Sequence, residues 1–335
     1  MTTVSLVTGG AGFIGAHVVN HLIDNMNHRV IVLDDLSGGF KDNIHSKAIF
    51  IKGSITDTIL IKRIFSENKI DYIYHLAAYA AEGLSHFIRN FNYTNNLIGS
   101  VNLINAAIEH KVKRFIFTSS IAVYGTQPPP MIETATPKPE DPYGVAKFAI
   151  EMDLKCAHEM FGLDYVIFRP HNVYGEYQNI GDRYRNVMGI FMNQILQGKP
   201  LSIYGDGKQS RAFSYISDVA PHIAESALNE KAKNQIINIG GDRDYSVLEL
   251  AQAVIKQMGA QAEIRHVEAR NEVVHAYADH QKAKEIFNIK ESDMVDLEVG
   301  LAKTIAWVGK HGSRKTPKFE NIELFENLPP IWLED

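Results

Sequence analysis

The chain has 335 residues, 45% of them apolar and 22% charged, with a net charge of −5 and no basic block. That balance is ordinary for a globular protein and argues against nucleic acid or an anionic membrane surface as a partner. A single cysteine, Cys156, excludes an internal disulfide and fits a reducing compartment, most simply the cytosol.

The opening MTTVSLVTGG lacks the basic flank and apolar stretch of a signal peptide, and no apolar run approaches the ~20 residues of a membrane span. In chain order, VSLVTGG, RVIVLDD, AIFIKGS, DYIYHLAA, RFIFTSS and DYVIFRP are short, β-branched and continuously apolar. Such runs suit strands buried on both faces of a parallel sheet. Between them, FIGAHVVNHLIDN and NNLIGSVNLINAAIEH repeat their apolar positions at helical spacing. Strand and helix in alternation predict an α/β fold, a doubly wound parallel sheet of Rossmann type, over residues 1–170.

After Pro170 the alternation weakens. A helix over VMGIFMNQILQ, short strands at LSIYG and IINIGG, a helix over 246–258 and a strand at AEIRHVEA are predicted. The tail from His311, with Pro317, Pro329 and Pro330, reads as an extended strap. Residues 171–335 are expected to form mainly a smaller substrate-binding lobe, with the chain crossing back to the first unit. Ligands of such sheets bind beyond the carboxyl ends of the strands, so the crevice between the lobes is the expected site.

The first strand runs into LVTGGAGFIG, with Gly9, Gly12 and Gly15 before the first helix. Glycine allows a tight turn and close backbone approach, and a helix N-terminus offers N–H groups to a pyrophosphate. A glycine-rich turn alone also serves plain loops, but here a strand precedes it and a helix follows. About twenty residues on, VLDD places Asp34 as acceptor for a ribose 2′-hydroxyl, which favours NAD over NADP.

EDPYGVAKFAIEMDLKCAHEMF predicts a long helix with Asp141 as N-cap and Pro142 in the first turn. Tyr143 and Lys147 are four apart and share a face, just after the strand that carries Ser120. A tyrosine base at pH 7 must overcome an ordinary pKa of about 10, roughly 4 kcal/mol. A helix N-terminus contributes only about 0.3–1 kcal/mol, whereas a cation within ~4 Å is worth about 4 kcal/mol gross. Lys147, helped by an oxidised nicotinamide, is the expected source, and Ser120 is expected to orient the same substrate hydroxyl.

TGGAGFIG, HLAA, TSSIAVYG, YGVAK and SRAFSYISDVA, from Val4 to about Asp279, resemble in order and spacing the extended short-chain dehydrogenases/reductases. Within them the chain is similar to the NAD-dependent sugar-nucleotide epimerases and dehydratases, and most to the 4-epimerases of UDP-glucose and UDP-galactose. The resemblance implies hydride transfer at C4 of a nucleotide-diphosphate sugar through a 4-keto intermediate, with Ser120, Tyr143 and Lys147 catalytic. It implies NAD bound by the three glycines, Phe13, Ile14, Asp34, Asp35, Ser54, Ile55, Leu76, Ala77, Ala78, Asn96, Pro170 and His171, with Tyr143 and Lys147 reaching the cofactor. Asn172, Asn186, Arg211 and Arg270 are expected on the sugar nucleotide beside Ser120 and Tyr143. A homodimer through helices at 90–110 and 142–161 is also implied.

Several positions depart from the family pattern. Ser54 replaces an aspartate expected to meet adenine, Ala80 replaces the 4-epimerase lysine, and Arg270 with Glu272 fits only with a one-residue shift. The segment YAAEGLSHF, residues 79–87, is therefore expected to define an unusual sugar. Dehydratases, decarboxylases and 3,5-epimerases of the family carry an acid, base or thiol where this chain has Ile121 and Ala122, which leaves chemistry at C4. FRPHNVYG and KQSRAFSYI look somewhat like GDP-mannose 3,5-epimerases, so a GDP-sugar stays open beside a UDP-hexose. A 4-dehydrogenase or 4-ketoreductase that exchanges NAD(H), and a non-catalytic NAD-binding partner protein, are the other readings.

Fourteen histidines are scattered without HExxH, so no metal site is expected. Arg183 and Arg185 read either as a diphosphate clamp or as a solvated loop. GTQPPPMIETATPKPEDP reads as a rim over the sugar or a rigid connector. A small residue at Ala276 is expected to admit an N-acetyl group.

Overall fold

The computed structural model describes residues 2–182, 184–269, 274–314, 319–329 and 332. Strands β1 (Val4–Thr8), β2 (Arg29–Asp34), β3 (Ile49–Lys52), β4 (Tyr72–His75), β5 (Arg114–Thr118) and β6 (Tyr165–Pro170) alternate with helices. Every residue of β5 and β6 is buried, as their continuous apolar runs require, while β3 at the sheet edge is only partly covered.

The helices between them are α1 (Phe13–Asp24), α2 (Thr58–Glu67), α3 (Glu82–Ser85), α4 (Arg89–Asn92), α5 (Gly99–Glu109) and α6 (Pro142–Phe161). A π-helical turn, Tyr93–Ile98, joins α4 to α5. The side chain of Asp141 caps α6 by accepting the Gly144 N–H at 2.9 Å, with Pro142 in the first turn. Gly162, at φ +74°, ends that helix in the left-handed region.

The later chain adds short strands β7 (Val173–Tyr174), β8 (Leu201–Tyr204), β9 (Ser210–Ala212), β10 (Ser214–Tyr215), β11 (Gln235–Ile239), β12 (Asp244–Ser246), β13 (Ile264–Val267) and β14 (His275–Ala276). Its helices are α7 (Val187–Leu196), α8 (Ala220–Glu225), α9 (Val247–Gln257), α10 (Gln281–Phe287) and α11 (Leu297–His311). Ser246 and Glu249 form a capping box at the start of α9. β9 lies between β12 and β14, and β8 pairs with β13.

One of these later strands returns to the main sheet. The IINIGG run supplies β11, which pairs in parallel with β6 and completes a seven-stranded sheet ordered β11-β6-β5-β4-β1-β2-β3. Its approach is anchored by the buried Arg114, whose Nη1 donates to the carbonyls of Ser226 (3.1 Å) and Asn229 (3.0 Å). The chain winds outward from β1 through β2 and β3, then starts again at β4 and winds the other way. The reversal between β1 and β4 opens a crevice beyond their carboxyl ends. No described helix is long and apolar enough to cross a membrane.

Candidate active site

A cavity of about 1950 Å³ opens at that reversal. A pocket for one small ligand holds about 300–1000 Å³, so this one has room for two. Its lining runs from the glycine turn after β1, past the ends of β4 and β5, to β8, β9 and β14.

The turn after β1 packs against itself. Gly9 takes φ +74°, and a Cβ there would lie 2.7 Å from the Ala77 nitrogen. A Cβ on Gly15 would lie 2.1 Å from the Gly9 carbonyl oxygen. Gly12 is the N-cap of α1 and offers no capping side chain, so the first N–H groups of that helix face the cavity unmet. This is a fitting cradle for a dinucleotide pyrophosphate. The Asp34 carboxylate accepts the N–H groups of Ala11 (3.0 Å) and Leu36 (2.8 Å), so it also fixes the turn from the end of β2. Burial raises its pKa above the ordinary carboxylate value. The exposed Asp35, with Ser54, Ile55, Leu76, Ala77, Ala78 and Pro170, lines the same cavity.

Ser120 follows β5, and Tyr143 and Lys147 sit in the first turns of α6; all three line the cavity. Lys147 Nζ donates to the Thr118 carbonyl at 2.7 Å and lies 4.7 Å from the Phe117 ring centroid and 5.7 Å from that of Tyr143. Burial dominates the electrostatics. It raises the Tyr143 pKa well above 10, against a lowering hydrogen bond from Ser120 and a smaller lowering by the Arg185 charge. Burial also lowers Lys147 to about 7, with Glu151 opposing. The expected transfer of about 4 kcal/mol from Lys147 to Tyr143 is thus not what the free protein displays. A strand-end carbonyl holds the ammonium, and Ser120 is the first group to favour the phenolate.

Toward the other end, Asn172, Asn186 and Arg211 line the cavity, the first two with positive φ. Asn186 caps α7 through the Met188 N–H and donates to the Val173 carbonyl at 2.8 Å. Ala276, in β14, lies in register with Arg211 of β9 and also faces the cavity. Arg270 and Arg183 lie outside the described residues.

Two expected contacts take another form. Asn96 is buried and absent from the cavity wall; its amide exchanges hydrogen bonds with the backbone of Tyr79, 2.8 Å from its N and 3.1 Å to its O. It braces the turn after β4 from behind. His171 lines the cavity, but its ring nitrogens are taken by the Ala212 carbonyl (3.1 Å) and by His280 (2.8 Å), and burial lowers its pKa to about 3. Its imidazole is held neutral between the β9 backbone and His280.

Arg185 also reaches the site. It pairs with the buried Asp182, lies 5.0 Å over the Tyr79 ring and lines the cavity. The i,i+3 spacing of Asp182 and Arg185 is the signal that separates it from a solvated arginine. Glu82 and His86, from the 79–87 segment, line the wall near Tyr143 as well. Among the described residues no cluster of histidine, cysteine, aspartate or glutamate is arranged to hold a metal ion.

The sequence profile of the NAD dependent epimerase/dehydratase family matches residues 5–240. A putative UDP-glucose 4-epimerase of Methanocaldococcus jannaschii is 35% identical over 90% of this chain and 97% of its own length. The crystal structure of the Thermotoga maritima UDP-glucose 4-epimerase with UDP-glucose superposes with a TM-score of 0.87 at 37% identity, covering 92% of this chain and 99% of that one. A dTDP-D-glucose 4,6-dehydratase of Bos taurus is 31% identical over 97% of this chain and 94% of its own.

The burial of Lys147 has a consequence for stability. In the folded protein it releases its proton near pH 7, whereas the unfolded chain holds it to about 10.5. Between those values the unfolded state binds more protons, so stability rises with pH across that window, and below it the burden of a buried cation is complete. Lys147→Met is therefore expected to stabilise nucleotide-free protein by about 2 kcal/mol at pH 6, with the gain shrinking toward pH 10. Urea unfolding at the two pH values checks this.

Proposed function

We propose a function from one premise: the chain belongs to the NAD dependent epimerase/dehydratase family. Within that family it is an NAD-dependent isomerase that inverts C4 of a nucleotide-diphosphate hexose, a UDP-hexose of the glucose and galactose type. The observation that carries this reading is a juxtaposition in one cavity. Ser120, Tyr143 and Lys147 stand together, and the two residues after Ser120, Ile121 and Ala122, face the same cavity with no acid, base or thiol. Elimination of water or deprotonation at a sugar carbon needs such a group. Transfer of hydride at an alcohol carbon needs only a base for the hydroxyl proton and a hydride acceptor.

The proposed division of labour follows the chain. Residues 1–170 hold NAD through the glycine turn, Asp34 and Asp35, Ser54 and Ile55, and the turn Leu76–Ala78. Residues 171–335 hold the sugar nucleotide, with Asn172, Asn186 and Arg211 on the nucleotide diphosphate. The bound dinucleotide supplies a hydride acceptor that later returns the same hydride, so no external reductant is consumed. Tyr143, as phenolate, takes the C4-hydroxyl proton while the C4–H bond breaks, leaving a 4-keto sugar. After the keto sugar turns its other face, the hydride returns to C4 and Tyr143 gives the proton back to the same C4 oxygen. Ser120 hydrogen-bonds that oxygen in both half-reactions, and Lys147 favours the phenolate once the site is filled. The space beside Ala276 supports an N-acetylated hexose as a further substrate.

A homodimer is the proposed assembly. Ile98, Val145 and Met152 are 52%, 40% and 45% exposed, and Val145 and Met152 are two turns apart on one face of α6. A cytosolic location is supported by the lone, exposed thiol of Cys156.

Tyr143→Phe is expected to lower kcat by about 10²–10⁴-fold while leaving NAD bound; undiminished turnover would defeat the assignment. A panel of UDP-, dTDP- and GDP-sugars should yield C4 epimers from UDP-glucose and UDP-GlcNAc, and inertness toward UDP-GlcNAc would exclude the N-acetyl reading. Sedimentation equilibrium should return twice the chain mass, and a monomer would contradict the dimer.

A further inference from the structure

Beneath the reacting cluster lies a buried polar network that the proposed chemistry leaves unused. Glu151, on α6, is 0% exposed and Arg169, on β6, is 1% exposed. Glu151 Oε1 accepts from Ser119 Oγ at 2.6 Å and from Arg169 Nε at 2.9 Å, while Oε2 accepts from Arg169 Nη2 at 2.5 Å. The guanidinium lies 4.7 Å over the Tyr124 ring, and the Tyr124 hydroxyl donates to Asn238 Oδ1 at 2.8 Å. One carboxylate thus joins the end of β5 to α6 and β6, and through Tyr124 to β11.

A buried ion pair is a weak source of stability, because desolvating two charges offsets most of their attraction. Position says more. Ser119 is the neighbour of Ser120, and Glu151 lies one turn beyond Lys147 on the same face of α6. We propose that Glu151 is a positioning residue for the cluster: through Ser119 it sets the strand end that presents Ser120, and it stands one turn beyond Lys147 on the same helix.

The groups around Lys147 come from three elements. β5 presents the Thr118 carbonyl and the Phe117 ring, β4 presents His75, and α6 presents Tyr143 and Glu151. Burial keeps His75 neutral, with a pKa of about 3. Glu151 is therefore the anion in this set, and it is the group that works against desolvation to keep Lys147 charged. The proposal rests on the reading of Ser120, Tyr143 and Lys147 as the reacting groups.

The test pairs two kinds of variant, assayed with UDP-glucose. E151Q/R169Q removes both charges together and leaves Ser119 an acceptor. It is expected to fold, to keep KM, to lose kcat about tenfold, and to move the alkaline limb of the kcat–pH profile down by about one unit. Without the carboxylate Lys147 gives up its proton at lower pH, which fixes the sign. A folded E151Q/R169Q with the kcat and profile of the wild type overturns the proposal. S119A keeps both charges and is expected to lower kcat about threefold or more without moving the alkaline limb, with S119T restoring the rate. Should the paired variant fail to fold, S119A decides: an unchanged kcat overturns the proposal. Y143F serves as the control. Undiminished turnover there defeats the catalytic reading itself, whereas an inactive Y143F beside unaffected Glu151 and Ser119 variants defeats this proposal alone.

Discussion

Parallel strands all end on the same side, and that constraint organises everything else in this protein. Five of the six opening strands are too apolar to face water and can only be stacked side by side with helices on both faces, with the partly covered β3 at the edge. Every strand then delivers the residues that follow it to one rim. The glycine turn leaves β1, Asp34 closes β2, Leu76 to Ala78 leave β4, Ser120 leaves β5 and Pro170 closes β6. The winding reverses between β1 and β4, so the rim is split there and a cavity forms. β11, tied to β6 as the seventh strand, extends the same rim from the far end of the chain.

Burial is what makes the rim reactive and what makes it costly. Tyr143 and Lys147 are both pushed toward their neutral forms by the surrounding apolar wall. A neutral phenol is a poor base, so the charges around it carry the chemistry. Ser120 and Arg185 favour the phenolate, and Glu151 favours the ammonium. The free protein therefore holds a poised rather than an activated pair, and filling the cavity with a cationic nicotinamide would shift it toward phenolate.

The parts legible in the sequence are those in which chemistry is written at short range. The glycine spacing, Asp34, the Asp141–Pro142 start of α6 and the Tyr143–Lys147 pair each occupy a few residues, and each appears where the spacing places it. What stayed hidden depends on partners far along the chain. An apolar run such as IINIGG does not say which sheet it will join, and Gln235–Ile239 returns to the main one. Glu151 and Arg169 are 18 apart and resemble ordinary surface charges until α6 is laid on β6. His171 finds His280 from 109 residues away. Asn96, within the π-helical turn Tyr93–Ile98, bonds the backbone of Tyr79, 17 residues back. Ser119, beside Ser120, donates to Glu151 of the buried pair 32 residues further along the chain, a partner its own neighbours do not reveal.

The absence of acid, base and thiol at Ile121 and Ala122 confines the proposed reaction to C4. Turnover of UDP-glucose in D₂O, followed by proton and deuterium NMR of the recovered sugar nucleotides, tests that directly. The expected result is inversion at C4 with no deuterium on any sugar carbon, since the migrating hydrogen never meets solvent and no carbon acid is deprotonated. Deuterium at C3 or C5, or loss of the C6 oxygen, would contradict it.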